Sequence, residues 1–358
     1  MALSYLLRII KNNFALSIIY AKFAKIDTFY FKVEGRMKHF LAIKDCRKDE
    51  IIAILQKCID IKNDFLNGIR IHSHFKDKVL AMIFEKNSTR TRISFEVGAY
   101  QLGGSAIFLS NKDIQLSRGE GVKDSARVIS SMVDMIMIRT FSHSKIEEFA
   151  TNSSKPVING LSDEFHPTQL IADYLTMIEN GISLGLVAPY AKNVESTPRK
   201  PIVCYIGDGN NMAHSWLFMA SKLGFELRIA TPKGYEANSD FINLATQLKD
   251  ENTKIIITNN PKEAANGANV ITTDTWISMG QEDEKEKRVR DFQGFCIDSD
   301  LMKLGDNAIF LHCLPAYRGY EVSDEVIESP QSKVFEEAEN RLHAQKGIMA
   351  TLLQNGEK

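Results

Sequence analysis

Residues 79–102 read Val79-Leu80-Ala81-Met82-Ile83-Phe84, then Glu85-Lys86-Asn87-Ser88-Thr89-Arg90-Thr91-Arg92, then Ile93-Ser94-Phe95-Glu96-Val97-Gly98-Ala99-Tyr100-Gln101-Leu102. The unbroken apolar run predicts a strand at 79–84, buried on both faces. A polar segment follows, and a helix is expected at 91–102, ended by Gly103-Gly104. A buried strand feeding a helix is the repeating unit of α/β folds with parallel sheets.

The same alternation extends outward. Ile51, Ile52, Leu55, Cys58 and Ile59 recur at helical spacing, so a helix is expected at 48–65. Strands are expected at 106–109, 135–139 and 156–158, with helices at 121–132, 144–150 and 167–179. The stretch 180–200 has no clear period and carries Gly181, Gly185, Pro189 and Pro198, as a linker or inserted loop would. Alternation then restarts, with strands at 202–206, 226–230, 254–258, 270–273 and 308–312. Helices are expected at 211–223, 240–248 and 261–267, and a last one at 338–353. The expected architecture is α/β: two doubly wound parallel-sheet domains, with the active site in the cleft between the carboxyl ends of their strands. The expected divisions are 37–180, a connection at 181–200, 201–335, and a C-terminal helical segment 336–358 returning to the first domain.

Composition bounds the partners. With 358 residues, 44 Lys and Arg against 45 Asp and Glu, and a net charge of −1, the chain lacks the basic excess of a general nucleic-acid binder. A local pocket for a small anion is untouched by that argument. The scattered cysteines Cys46, Cys58, Cys204, Cys296 and Cys313 include no CxxC pair, which speaks for reduced thiols rather than disulfides or structural zinc. No apolar run approaches the ~18 residues that span a bilayer. Residues 1–36 are basic and rich in aliphatic and aromatic side chains, with Arg8, Lys11, Lys22, Lys25, Lys32 and Arg36 against Asp27 and Glu34. They read either as a targeting segment or as the product of an upstream start codon, with Met37 as the working start.

The chemistry-bearing residues fall at strand ends. Ser88, Thr89 and Thr91 supply hydroxyls, Arg90 and Arg92 guanidinium forks, and a helix start supplies free N–H groups: together a site for a phosphate-like dianion. A capped, solvated helix start is the plainer alternative. Arg139 ends an apolar strand. In His166-Pro167-Thr168-Gln169 the proline suits a first helical turn, leaving His166 and Gln169 to face the cleft. His312-Cys313-Leu314-Pro315 ends the last strand, where Cys313 is either a small buried hydrophobe or a functional group. Gly207-Asp208-Gly209-Asn210-Asn211-Met212 lacks the third glycine of a dinucleotide fingerprint. Its two asparagines suit an amino-acid-like ligand or a plain helix cap. Asp274, in Thr273-Asp274-Thr275-Trp276-Ile277-Ser278-Met279-Gly280, either anchors a cationic substrate or caps its loop. The charge-rich run 281–290 reads as a solvated face.

From about residue 38 to 353 these motifs resemble the aspartate/ornithine carbamoyltransferase family. The carriers are FEKNSTRTR at 84–92, HPTQ at 166–169, DGNN at 208–211, DTWISMG at 274–280, HCLP at 312–315 and ENR at 339–341; the middle ones look like the ornithine-type versions. The resemblance implies transfer of the carbamoyl group of carbamoyl phosphate to the side-chain amine of L-ornithine, giving L-citrulline and phosphate. It implies that Ser88, Thr89, Arg90 and Thr91 hold the phosphate. Arg139, His166, Gln169 and Arg341 would hold the carbamoyl end, with backbone from Cys313 and Leu314. Gln115 would reach a neighbouring subunit's site in a homotrimer. Asn211, Asp274, Ser278 and Met279 would bind ornithine, with Cys313, Arg139, His166 and Arg341 as the catalytic set. No metal and no nucleotide cofactor are implied. The segment 1–36 and a long 183–201 connection depart from the family pattern. Putrescine or acetylornithine as acceptor, and a non-catalytic two-lobed binding protein, are the alternatives.

Overall fold

The computed structural model describes residues 37–110, 121–187 and 198–356. The expectations for 1–36 and for Gln115 lie outside the described residues. No described helix is long and apolar enough to cross a membrane.

The strand that opened the reading, β1 (Val79–Phe84), lies inside a sheet between β2 (Ser105–Ser110) and β3 (Met135–Arg139), with β4 (Val157–Leu161) beyond β3. All pairings in this sheet are parallel. Successive strand residues point to opposite faces, and both faces are buried. Leu80, Met82 and Phe84 join one apolar cluster, while Ala81 and Ile83 join another with Ile136, Ile146 and Phe149. A second parallel sheet has the order β7-β6-β5-β8-β9, made of β5 (Ile202–Ile206), β6 (Glu226–Ala230), β7 (Lys254–Thr258), β8 (Val270–Thr273) and β9 (Ile309–His312).

Helices connect the strands. The first sheet carries α1 (Lys48–Leu66), α2 (Thr89–Gln101), α3 (Val122–Met132), α4 (His143–Asn152) and α5 (Pro167–Glu179). The second carries α6 (Asn211–Leu223), α7 (Ser239–Gln247), α8 (Pro261–Ala265), α9 (Lys285–Asp291), α10 (Ser299–Met302) and α11 (Asp324–Ile327). Helix α5 is buried on every side from Pro167 to Ile178, its polar residues Gln169 and Asp173 included. It and α6 carry one continuous core from the first sheet into the second.

The last helix, α12 (Val334–Gly356), leaves the second sheet and packs on α1, α2 and α5. Lys62 of α1 reaches Asn340 Oδ1 at 2.6 Å and Glu179 Oε1 at 2.6 Å, tying three helices together. Gly347 permits the close crossing, since a Cβ there would run into Cys58. This helix begins at Val334, earlier than the expected 338, because acidic Glu336 and Glu337 broke the apolar spacing. Acids in a first turn in fact favour a helix start.

Three further differences have physical causes. Strand β4 continues through Asn159 and Gly160 to Leu161, past the apolar run that suggested 156–158; the Nδ2 of buried Asn159 donates to the Leu41 carbonyl at 2.8 Å. The charge-rich run is not simply a solvated face: it forms α9, and Arg288 turns inward. The 181–200 connection is pinned at its base, where Ser183 and Arg199 donate backbone hydrogen bonds to Arg199 and Gly181, each at 2.9 Å.

Candidate active site

A cleft of about 1230 Å³ opens between the carboxyl ends of the two sheets. On its first wall β1 delivers the chain into α2. Ser88 is the N-cap, extended at φ −161°, and its Oγ accepts from Thr91 N–H at 3.2 Å. That leaves the Thr89 and Arg90 N–H groups of the first turn without helical acceptors. The capping reading and the anion reading therefore hold together.

Arg90, Arg139 and Arg341 all line this cleft, and the buried Nε of each has no hydrogen-bond partner. Arg90 Nη2 donates to the Leu314 carbonyl at 2.6 Å, bridging the two walls. Arg341 Nη2 donates to Thr91 Oγ1 at 2.7 Å. Burial, and then mutual repulsion, lowers Arg139 and Arg341 to about 10 each. Both stay cationic at neutral pH. His166, buried beside them, is pushed well below the ordinary histidine value by desolvation and by Arg341, so its imidazole is neutral. The result is a cationic pocket with spare donors, suited to a small anion and to an oxyanion developing within it.

The opposite wall is different in kind. Asp274 Oδ2 accepts from Asn210 Nδ2 at 2.7 Å, and its Oδ1 accepts from Thr275 N–H at 2.7 Å and Cys313 Sγ at 3.1 Å. Asp274 thus caps its own loop and also faces the cleft. Burial and Asp274 push the Cys313 thiol well above its usual range, so it is a protonated donor and not a thiolate. Asn210 is the N-cap of α6, accepting from Met212 N–H at 2.9 Å. Asn211 lines the cleft while its Nδ2 donates to the Ser162 carbonyl at 2.8 Å, joining second lobe to first. Ser278 and Met279 form the rim, with Met279 half exposed.

Two expected residues stand elsewhere. Thr91 is wholly buried behind the first turn, where it receives Arg341. Gln169 does not line the cleft as its place beside His166 suggested. Its Nε2 is drawn back by two acids, Asp173 Oδ1 at 2.8 Å and Glu337 Oε1 at 2.8 Å. Burial raises both carboxyls, Asp173 to about 7 and Glu337 well above its usual value, and the coupled pair retains a proton. Sequence reading missed this pair, because acids inside helices read as solvated. It also missed Arg288, whose Nη1 donates to Asp208 Oδ2 at 2.9 Å and to the Trp276 carbonyl at 3.0 Å, bracing the 274–280 loop from behind. Lys86, paired with Asp163 and 4.2 Å from the Phe141 ring centre, closes another edge. Among the described residues, no group of three or more His, Cys, Asp and Glu could hold a metal ion.

Comparison with known proteins bears on both sheets and the cleft between them. A family model described as the carbamoyl-P binding domain of aspartate/ornithine carbamoyltransferase matches residues 38–179, and one described as the Asp/Orn binding domain matches 200–352. The chain is 60% identical over 318 residues to an ornithine carbamoyltransferase of Wolinella succinogenes, covering 88% of this chain and 98% of the relative. It is also 60% identical to one of Helicobacter hepaticus, covering 88% and 96%. Among solved structures, ornithine carbamoyltransferase from Pyrococcus furiosus superposes with a TM-score of 0.81 at 44% identity, covering 90% of this chain and 98% of that one. The anabolic enzyme of that name from Campylobacter jejuni gives 0.79 at 43%, covering 90% and 100%.

Proposed function

The chain belongs to the aspartate/ornithine carbamoyltransferase family, and on that premise we propose that it transfers the carbamoyl group of carbamoyl phosphate to the side-chain amine of L-ornithine. The products are L-citrulline and phosphate, as a step of arginine biosynthesis. The observation that carries the reading is the opposition of charges across one cleft: three arginines with unpartnered Nε atoms face the Asp274 carboxylate.

The chemistry follows the walls. The phosphate takes Ser88, Thr89, Arg90 and the free N–H groups of the α2 first turn, with Thr91 acting through Arg341. Arg139, neutral His166 and Arg341 stabilise negative charge as the carbonyl oxygen becomes an oxyanion. Asp274 and the Cys313 thiol orient the acceptor, whose amine, at a solution pKa of ~10.4 for a lysine-like group, attacks only after losing its proton. The C–N bond forms, the tetrahedral intermediate collapses as the C–O bond to phosphate breaks, and the second proton of the attacking nitrogen leaves with the phosphate. Asn211, Ser278 and Met279 hold the amino-acid head of ornithine.

The reading extends to organisation. Residues 37–180 form the carbamoyl-phosphate-binding domain and 201–335 the ornithine-binding domain, with 336–358 returning to the first. A cytoplasmic homotrimer is proposed, with Gln115 completing a neighbour's site. Gln115 follows the edge strand β2, and the exposed apolar side chains Ile93, Tyr100 and Ile107 of α2 and β2 support a subunit contact there.

The test is colorimetric citrulline assay with carbamoyl phosphate and a panel of ornithine, acetylornithine, putrescine and aspartate. Ornithine turnover far above the others is expected. Preference for putrescine or acetylornithine would replace the acceptor assignment, and turnover of none would overturn the reaction. Light scattering checks the trimer.

A further inference from the structure

The side-chain amide of Gln169 is wholly buried and held in one orientation from behind. Both of its Nε2 hydrogens are taken, one by Asp173 Oδ1 and one by Glu337 Oε1, each at 2.8 Å. Reversing the amide would give up both of these hydrogen bonds and set Oε1 against two carboxyl groups that hold a single proton between them, so at most one could donate to it. As held, Oε1 is the one polar atom of the side chain without a partner. A buried acceptor left open costs free energy unless a ligand donor satisfies it.

Chain position sets that open atom behind the cleft wall, next to residues that form its surface. His166, which lines the cleft, is three residues before Gln169 at the start of α5, so the two share a helix face. Arg341, also in the cleft, is four residues after Glu337 on α12. Glu337 Oε2 further accepts from the His312 N–H at 2.8 Å, immediately before Cys313. The acid pair therefore touches the first lobe, the returning helix and the last strand of the second sheet, without entering the cleft.

We propose that Asp173 and Glu337 are positioning residues for recognition of the carbamoyl amine: by occupying both hydrogens of the Gln169 amide, they keep its Oε1 as the acceptor for the substrate –NH2. The inference rests on the carbamoyl-transfer reading above. Its consequence is selectivity between acyl phosphates. Acetyl phosphate has the same phosphate and carbonyl but a methyl group where carbamoyl phosphate has the amine, so it cannot satisfy Oε1.

The test uses the full chain with Asp173→Asn and Glu337→Gln, which keep shape and one acceptor each but introduce an –NH2 that can pair with Oε1 and let the amide reverse. The KM for carbamoyl phosphate and the Ki for acetyl phosphate are measured, with melting temperature alongside. We expect KM to rise roughly tenfold or more, while Ki stays within about twofold of wild type. Parallel weakening of both ligands, or an unchanged KM, would overturn the proposal, since a purely structural role moves both together. Gln169→Leu closes a mutant cycle: if the acids act through Gln169, adding Asp173→Asn to it changes selectivity no further, and an additive loss refutes the route. Wild-type turnover separates the two levels. If wild type makes no citrulline, the reaction assignment fails; if it does and the variants keep their selectivity, only this inference fails.

Discussion

The two walls of the cleft are built on opposite plans. The first concentrates its chemistry in one short segment at the start of α2, and adds Arg139 and Arg341 with their guanidinium Nε atoms free. The second spreads its chemistry over three strand ends, and its groups are already bonded to one another: Asp274 holds Asn210, Cys313 and its own loop. An open cationic wall is poised for a small anion that brings its own acceptors. A self-satisfied acidic wall must exchange existing hydrogen bonds for those of its ligand. Each wall therefore answers differently to losing a side chain.

The comparison is tested most severely at Asp274. Asp274→Asn removes the carboxylate charge that Asp274 offers to an ammonium group while retaining its shape. A desolvated pair broken from one side costs about 3–5 kcal/mol, so ornithine kcat/KM should fall by roughly two to four decades. KM for carbamoyl phosphate should move far less. Steady-state kinetics with each substrate varied in turn decides the matter. Equal loss for both would show that Asp274 holds the cleft together rather than reading the acceptor.

The first wall should give a smaller loss of the opposite selectivity. Arg90→Ala deletes a charged donor, commonly worth about 1.5–3 kcal/mol, and so one to two decades in carbamoyl-phosphate efficiency. It also breaks the 2.6 Å bond to the Leu314 carbonyl, so part of the loss should surface as weaker ornithine binding. Binding of inorganic phosphate, measured calorimetrically, isolates the anion contribution. Unchanged phosphate affinity would remove Arg90 from the anion site.

Arg288 sharpens the account of the second wall, since its guanidinium is committed to Glu284, Asp208 and the Trp276 carbonyl. In the native protein burial raises the Asp208 carboxyl to about 6, even with Arg288 beside it. A buried acid whose folded pKa exceeds its unfolded value stabilises the fold less as pH rises toward the folded pKa. Arg288→Met removes the counter-charge and drives the Asp208 value higher, so that loss continues above pH 6. The deficit in melting temperature should therefore widen between pH 6 and pH 8, alongside a several-fold rise in ornithine KM. A deficit independent of pH would show that the arginine acts by packing alone.

These differences also explain what could be read from sequence. The first wall was legible because its groups are contiguous and its strands are unbroken apolar runs, as at Val79–Phe84 and Met135–Arg139. Both sheets followed from the same alternation. The concealed half of the site was not legible. Glu337, Asp173 and Arg288 are charged residues on helices, and helical charges ordinarily face water. Only the three-dimensional arrangement shows that Asp173 and Glu337 meet at Gln169, four and 168 residues away along the chain, and that Arg288 finds Asp208 across 80. Sequence shows the nearness of Gln169 to His166 but not the two acids that hold its amide from behind.

The smallest expected effect concerns removal of residues 1–36. The match to the carbamoyl-P binding domain begins at residue 38. Met37 is already packed: its N–H donates to Glu50 Oε1 at 3.0 Å, and its Sδ lies 3.7 Å from Cys46 Sγ. A chain beginning at Met37 would place a free ammonium against that same carboxylate, strengthening the bond rather than breaking it. It should therefore fold, with KM for both substrates and kcat within about twofold of the full chain and with the same melting temperature to within a few degrees. Side-by-side kinetics and calorimetry of the two chains make the comparison. Loss of activity on shortening would mean that residues before Met37 contribute to one of the walls, and the division of labour drawn between them would have to include a third part.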